Sequence, residues 1–168
     1  QQKWGVVNFS TSFLRNAPDY ESALETQALM GSVVEVMAKQ GYWTLVDMQE
    51  PHYMAWTNEL GIVEMSQEEL NAYIAAPKYI CTRDITAIFD KPVPGSSRIS
   101  ELIMGNIVRK AINDKGNPAI SVGYYKVMLP DGRTGYVRMP DVADFKTWTA
   151  NRSASKENLV KTAEKFTG

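Results

Sequence analysis

The chain has 168 residues, a formal net charge of −1 and 44% hydrophobic residues. The balanced charge excludes the basic footprint typical of nucleic-acid-binding proteins, and no segment approaches the roughly 20 consecutive apolar residues that a transmembrane helix needs. A single cysteine, Cys81, and a single histidine, His52, exclude a disulfide framework and a multi-thiolate metal site, so no cofactor is expected.

Two stretches of the sequence agree in pattern at a constant offset. Leu29–Val34 matches Ile103–Val108, and Ala17-Pro18 matches Lys91-Pro92, in both cases 74 positions later. Because two unrelated segments rarely share one register, the sequence predicts a tandem repeat.

Each copy continues with a polar turn, an aromatic-led strand and a closing hairpin. In the second copy the hairpin turn contains Asp131-Gly132, and Gly supplies the positive φ that tight turns need. The first copy has a less regular turn at 49–52. Short segments rich in Val, Ile, Tyr and Thr, separated by Gly, Pro and Asp, predict an all-β barrel in each half. At about 60 residues each, such barrels bury little surface alone, so we expect them to pack on each other.

Helical signals follow each barrel. Ser66 and Glu69 form a capping-box pattern before apolar residues at helical spacing, which predicts a linker helix that Pro77 ends. A second short helix is expected at 140–148, a polar break at 151–154 and a last helix from Ser155. The last helix carries an apolar stripe: Leu159, Val160, Ala163 and Phe166. The expected organisation is a first barrel at 1–65, the linker helix at 66–77, a second barrel at 78–139 and a C-terminal helical segment at 140–168.

The order of the motifs resembles that of bacterial SH3 domains. The residues that carry this resemblance are Phe13-Leu14-Arg15, Pro18, Ala28–Gly31, the aromatic strand and Ala55-Trp56-Thr57. In the two copies Ala55-Trp56-Thr57 and Gly135-Tyr136-Val137 stand in for the family's final Gly-Trp-Val. The resemblance implies two tandem SH3-like barrels.

The whole chain also resembles the N-terminal part of the Bacteroides-type NlpC-family cysteine peptidases, the γ-D-glutamyl-L-diamino acid endopeptidases also called dipeptidyl-peptidase VI. The resemblance rests on Ala55-Trp56 through Ser66–Glu69, on Gly135–Val137 with Asp141–Phe145, and on Glu157–Ala163. That family's catalytic domain carries an Asp-Cys-Ser-Gly motif and downstream histidines, which this sequence lacks. The resemblance therefore implies a non-catalytic module of an exported, periplasmic or cell-envelope protein, whose catalytic domain is missing or supplied separately.

The resemblance also implies where peptide binds. In those peptidases the first SH3 domain forms one wall of the active-site cleft, where an acid and a tyrosine meet the free amino end of the substrate's L-Ala. Tyr53 is our candidate for the tyrosine, Asp19 or Glu21 for the acid, and Trp56 for an aromatic contact; an ordinary loop role for these residues remains open. The expected partner is a murein peptide with a free N-terminal L-Ala. Trp43 is expected in the core.

Two other functions are open at this point. A protein-interaction or self-association module would use the barrels and the apolar stripe of the last helix. A cysteine hydrolase would use Cys81 with His52, yet the apolar run Tyr79-Ile80-Cys81 predicts a buried, inert thiol.

Overall fold

The computed structural model describes residues 2–19, 22, 24–49, 52–58 and 61–153. They form two antiparallel sheets with short helices, which confirms the predicted all-β class. The strands of the first sheet are β1 Lys3–Val7, β2 Thr11–Arg15, β3 Leu24–Leu29, β4 Val33–Gln40, β5 Trp43–Gln49, β6 His52–Asn58 and β7 Ile62–Met65. Those of the second are β8 Lys78–Cys81, β9 Ile85–Phe89, β10 Arg98–Ile103, β11 Ile107–Lys110, β12 Ile120–Ser121, β13 Tyr124–Met128, β14 Thr134–Arg138 and β15 Val142–Asp144. Helix α1 spans Gln67–Ala75, a 3-10 turn spans Met139–Asp141, and helix α2 begins at residue 145 and continues through residue 153.

The two sheets share one topology. Their strand orders are β3-β2-β6-β5-β4-β1-β7 and β10-β9-β14-β13-β11-β8-β15, with β12 an addition paired to β13. The turns after β3 and β10 have Gly31 and Gly105 with φ of 92° and 89°. These matched left-handed positions, at which glycine is favoured, confirm the predicted repeat.

Each sheet encloses its own apolar core because side chains alternate along the strands. In the β5–β6 hairpin, Thr44, Val46, Ala55 and Thr57 are buried. Trp43 has the opposite phase and is only half-buried, so its predicted core position is wrong. The strand register, rather than side-chain size, decides which residues of the hairpin face the core.

Helix α1 has the predicted capping box. Glu69 N donates to Ser66 Oγ at 3.2 Å, and Ser66 N donates to Glu69 Oε1 at 3.1 Å. The helix buries Leu70 and Tyr73 against the first barrel. At its other end, Lys78 Nζ donates to the carbonyl oxygens of Tyr73, Ile74 and Ala76 at 2.5, 3.1 and 2.8 Å, which stabilises the C-terminal end of the helix.

The barrels pack on each other through the turn after β3, as expected for two small domains. The Met30 side chain is fully buried in the core of the second barrel, with Ile88, Leu102 and Val108 among its neighbours in that cluster. Across the same contact, the buried Asn106 donates from Nδ2 to the Ser10 carbonyl at 2.9 Å. The two halves therefore share packed apolar and polar contacts.

The segment after the second barrel differs from the prediction. Residues 142–144 form strand β15, paired with β8, because burial of Val142 completes the second core. The predicted helix over 140–148 is therefore wrong before residue 145. Asp144 Oδ2 then accepts from Thr147 N at 3.0 Å and starts α2. The predicted polar break is wrong at 151–153, which are helical and exposed. The last helix from Ser155 and its apolar stripe lie outside the described residues.

Candidate functional site

The β5–β6 hairpin carries two of the predicted site residues on opposite faces. Tyr53 is in phase with the buried Ala55 and packs against the core of the first barrel. Trp56 has the opposite phase, lies beside Leu45 on β5 and is half-buried on the outer face. The sequence placed the two aromatic residues together, whereas the three-residue spacing separates them across the sheet.

Trp56 has a cationic neighbour that sequence reasoning missed. Arg15, at the end of β2, is its direct partner in the β2–β6 pairing, so the two side chains share the outer face. One guanidinium nitrogen of Arg15, Nη1, donates to the Ser22 carbonyl at 3.0 Å. The loop after β2 is thereby held next to Trp56.

The same loop carries the predicted acids. Ser22 Oγ donates to the carbonyls of Ala17 and Asp19 at 2.9 and 2.7 Å, which fixes the local backbone. Asp19 is exposed, at the solvent side of the loop. Glu21 lies outside the described residues. The structure thus associates Asp19 with Arg15 and Trp56 through Ser22.

A second carboxylate, Asp47, organises the open end of the hairpin. Its Oδ1 accepts from the backbone N–H of Tyr53 at 3.1 Å, and its Oδ2 lies 3.2 Å from His52 Nδ1. Only 16% of the Asp47 side chain is exposed. Asp47 therefore positions the backbone of Tyr53. No signal in the sequence pointed to this contact, because it depends on the register of the hairpin.

Cys81 is unsuited to nucleophilic chemistry. Its thiol is buried in the second core and donates to the Arg83 carbonyl at 3.4 Å. Burial raises the pKa of the Cys81 thiol, which disfavours the reactive thiolate.

The other residue of the possible dyad, His52, belongs to the first sheet and contacts Asp47. Within the described residues, no three potential metal ligands of the His, Cys, Asp or Glu type come together.

A cleft lies elsewhere on the first barrel and α1. It measures about 480 Å³ and is bounded by the ends of β1 and β7 and the start of α1; its lining residues are Gln2, Lys3, Glu64, Met65, Ser66, Gln67 and Glu69. None of the predicted peptide-binding residues lines it. We assign the candidate site to the outer face of β2 and β6 and the loop after β2, since Arg15, Trp56 and Asp19 lie there, with Tyr53 on the other face of β6.

One family model matches the part of the chain that contains the candidate site. Residues 14–59 match the model of the bacterial dipeptidyl-peptidase SH3 domain. The matched range begins in β2, ends just after β6 and includes Asp19, Glu21, Tyr53 and Trp56. The resemblance of the first barrel to a bacterial SH3 domain is therefore confirmed. None of the curated proteins matches the sequence.

Solved structures share the two-barrel fold. An NlpC/P60 family protein from Bacillus cereus superposes with a TM-score of 0.65 at 18% identity, over 83% of this chain and 55% of that one. An NlpC/P60 endopeptidase from Photobacterium damselae gives a TM-score of 0.56 at 12% identity, over 84% of this chain and 33% of that one. The chain thus spans about half and a third of the lengths of these proteins. No helix among the described residues has the length and apolar character to cross a bilayer.

Proposed function

We propose that this chain is a non-catalytic module that binds cell-wall peptide and gates substrate entry for an NlpC-type cysteine endopeptidase domain. The observation that carries the proposal is the match of residues 14–59 to the dipeptidyl-peptidase SH3 domain, which includes all four predicted site residues. On this proposal the protein is exported and acts in the periplasm or cell envelope. Its ligand is a murein peptide with a free N-terminal L-Ala.

The chemistry of the site suits a free amino end. An ammonium group donates hydrogen bonds and requires acceptors with a countercharge. On this proposal the exposed carboxylate of Asp19 supplies the countercharge. The half-buried Tyr53, on the other face of β6, supplies its phenol as a separate neutral acceptor for the peptide. Asp47 is a positioning residue, because it holds the Tyr53 backbone rather than the ligand.

Gating, the selection of which peptides reach the catalytic domain, depends on the charge at the amino end of the peptide. A peptide whose amino end is still linked to other groups lacks the ammonium and loses the ion pair with the carboxylate. The Trp56 ring, with the Arg15-anchored loop beside it, forms an apolar wall next to that end of the peptide. The module would thereby select peptides that have already been released from the glycan.

The proposal is tested by calorimetric titration with L-Ala-γ-D-Glu-diamino-acid peptide. We expect Asp19→Asn and Tyr53→Phe each to weaken binding by about tenfold, the usual worth of a charge-assisted or buried hydrogen bond. Asp114→Asn, an exposed loop carboxylate of the second barrel, serves as the matched control. Wild-type affinity in both site variants would overturn the assignment of these residues.

Asp47 gives a separate test of the positioning role. Asp47→Asn retains an oxygen that accepts from Tyr53 N, so we expect nearly unchanged affinity, whereas Asp47→Ala removes the acceptor and weakens binding. An equal loss in both variants would instead make Asp47 a charged ligand of the peptide.

A further inference from the structure

The outer face of the second barrel carries a row of aromatic and cationic side chains across four neighbouring strands. Arg98 on β10 pairs with Phe89 on β9, Phe89 pairs with Tyr136 on β14, and Tyr136 pairs with Lys126 on β13. Directly opposed residues of antiparallel strands project to the same face. We call these four residues, together with Arg138, the cationic row.

The rings of the row support its cations. The Lys126 ammonium lies 6.0 Å from the centre of the Tyr136 ring, and the Arg138 guanidinium lies 5.7 Å from that of Phe89. Phe89 is itself held edge-on by the buried Tyr124, with ring centres 6.4 Å apart. Cation–π contacts of this kind orient the charged groups before any ligand arrives.

The three cations of the row have no carboxylate partner within the described part of the chain. Other cations of the same barrel do have one: Lys110 pairs with Asp144 at 2.5 Å and Arg133 with Asp131 at 2.8 Å. The chain as a whole carries a formal charge of −1. The row is therefore a local concentration of positive charge, which is complementary to an anionic ligand.

The first barrel lacks this property at the equivalent place. The corresponding register positions there include one cation, Arg15; the others are Leu24, Trp56 and Leu45. That cation donates to the Ser22 carbonyl, within its own barrel. The two barrels therefore share one topology but differ in the charge of this face, which carries three cations in the second barrel.

We propose that the cationic row binds the carboxylates of an extended acidic peptide. At a strand spacing of about 4.8 Å, the row from Arg98 to Lys126 is about 14 Å long, the length of about four extended residues. The exposed Arg98 and Arg138 and the half-buried Lys126, spaced along this length, pair with successive carboxylates. The identification of the ligand as a wall peptide rests on the proposed function. The cationic row is a second site, separate from the amino-end site, the name we give to Asp19, Tyr53 and Trp56 of the first barrel.

The test uses a peptide that cannot occupy the amino-end site. N-acetylated L-Ala-γ-D-Glu-diamino-acid peptide lacks the α-ammonium of L-Ala but keeps its carboxylates. A second peptide, also N-acetylated, has those carboxylates converted to carboxamides. We expect the acetylated peptide to bind measurably, the amidated one to bind about tenfold more weakly or not at all, and binding to weaken as salt is added.

Variants assign the binding to the row. Lys126→Gln combined with Arg138→Gln should remove most binding of the acetylated peptide, whereas Lys3→Gln combined with Lys115→Gln removes the same charge from exposed positions elsewhere and should leave it. The inference is overturned if the acetylated peptide does not bind, if the two double variants behave alike, or if only a single-stranded oligonucleotide binds to the row. The site of the first barrel is tested separately, because its variants, Asp19→Asn and Tyr53→Phe, are measured with the peptide whose amino end is free.

Discussion

Met30 and Ile107 join the two barrels by a backbone hydrogen bond. Ile107 N donates to the Met30 carbonyl at 3.0 Å, and the Met30 side chain is fully buried in the core of the partner barrel. The repeat-equivalent residue, Met104, is 48% exposed. The Met30 side chain thus inserts into the partner barrel, while the side chain of its counterpart Met104 stays at the surface.

Truncation of these two methionines should have very different effects. We expect Met30→Ala to lower the free energy of unfolding by about 2–5 kcal/mol, because it leaves a cavity in a packed core. Met104→Ala should change it by less than about 0.5 kcal/mol, as is usual for exposed positions. Urea unfolding of both variants gives the comparison, and equal effects would mean that Met30 is not buried in solution.

Substitutions at two glycines with the same φ separate the effect of the contact between the barrels from that of backbone strain. Gly31 and Gly132 both have φ of 92°, yet a Cβ on Gly31 would lie 2.6 Å from the Ile107 oxygen, whereas one on Gly132 meets nothing within 4 Å. We expect Gly132→Ala to cost about 1–2 kcal/mol from backbone strain alone. Gly31→Ala should cost clearly more. Similar losses in thermal unfolding would argue against close approach of the barrels.

Features that depend on local chemistry were predictable from the sequence. The reciprocal hydrogen bonds of Ser66 and Glu69 and the left-handed glycines at 31 and 105 follow from residue types within a few positions. The repeat was readable because both copies keep the same turn between their strands. These features determine the class of the fold and its internal symmetry.

Contacts that depend on strand register were not predictable. Trp56 meets Arg15 and Asp47 meets the Tyr53 backbone only after the strands have paired, and one step of register would reverse both faces. Trp43 was misassigned for the same reason. Residues 142–144 form a strand because the edge of β8 and the second core accept them, although their sequence also suits a helix.

The turn between β12 and β13 offers a stabilising substitution. Val122 has a positive φ of 24° and is 91% exposed, directly before Gly123. A β-branched residue is strained at positive φ, whereas Asn-Gly is the preferred pair in two-residue hairpin turns. We expect Val122→Asn to raise the free energy of unfolding by about 0.5–1 kcal/mol. A lower melting temperature in this variant would contradict the observed turn.

Asp144 should make stability depend on pH in the acid range. The hydrogen bond from Lys110, aided by Thr147, lowers the pKa of Asp144 from 3.8 to about 2. A carboxyl whose pKa is lower in the folded state stabilises the protein above its unfolded pKa and loses that contribution as the pH falls from about 4 to about 2. The gap in unfolding free energy between wild type and Asp144→Asn should therefore narrow over this range. A gap that is constant with pH would show that the ion pair contributes nothing.

The most direct test of the proposed function compares one peptide with its blocked form. Calorimetry of the chain with Lys126→Gln and Arg138→Gln, which removes the cationic row, should give an affinity for free L-Ala-γ-D-Glu-diamino-acid peptide about tenfold or more above that for the N-acetylated peptide, because only the free form carries the α-ammonium of L-Ala. Equal affinities for the two peptides would contradict recognition of a free amino end.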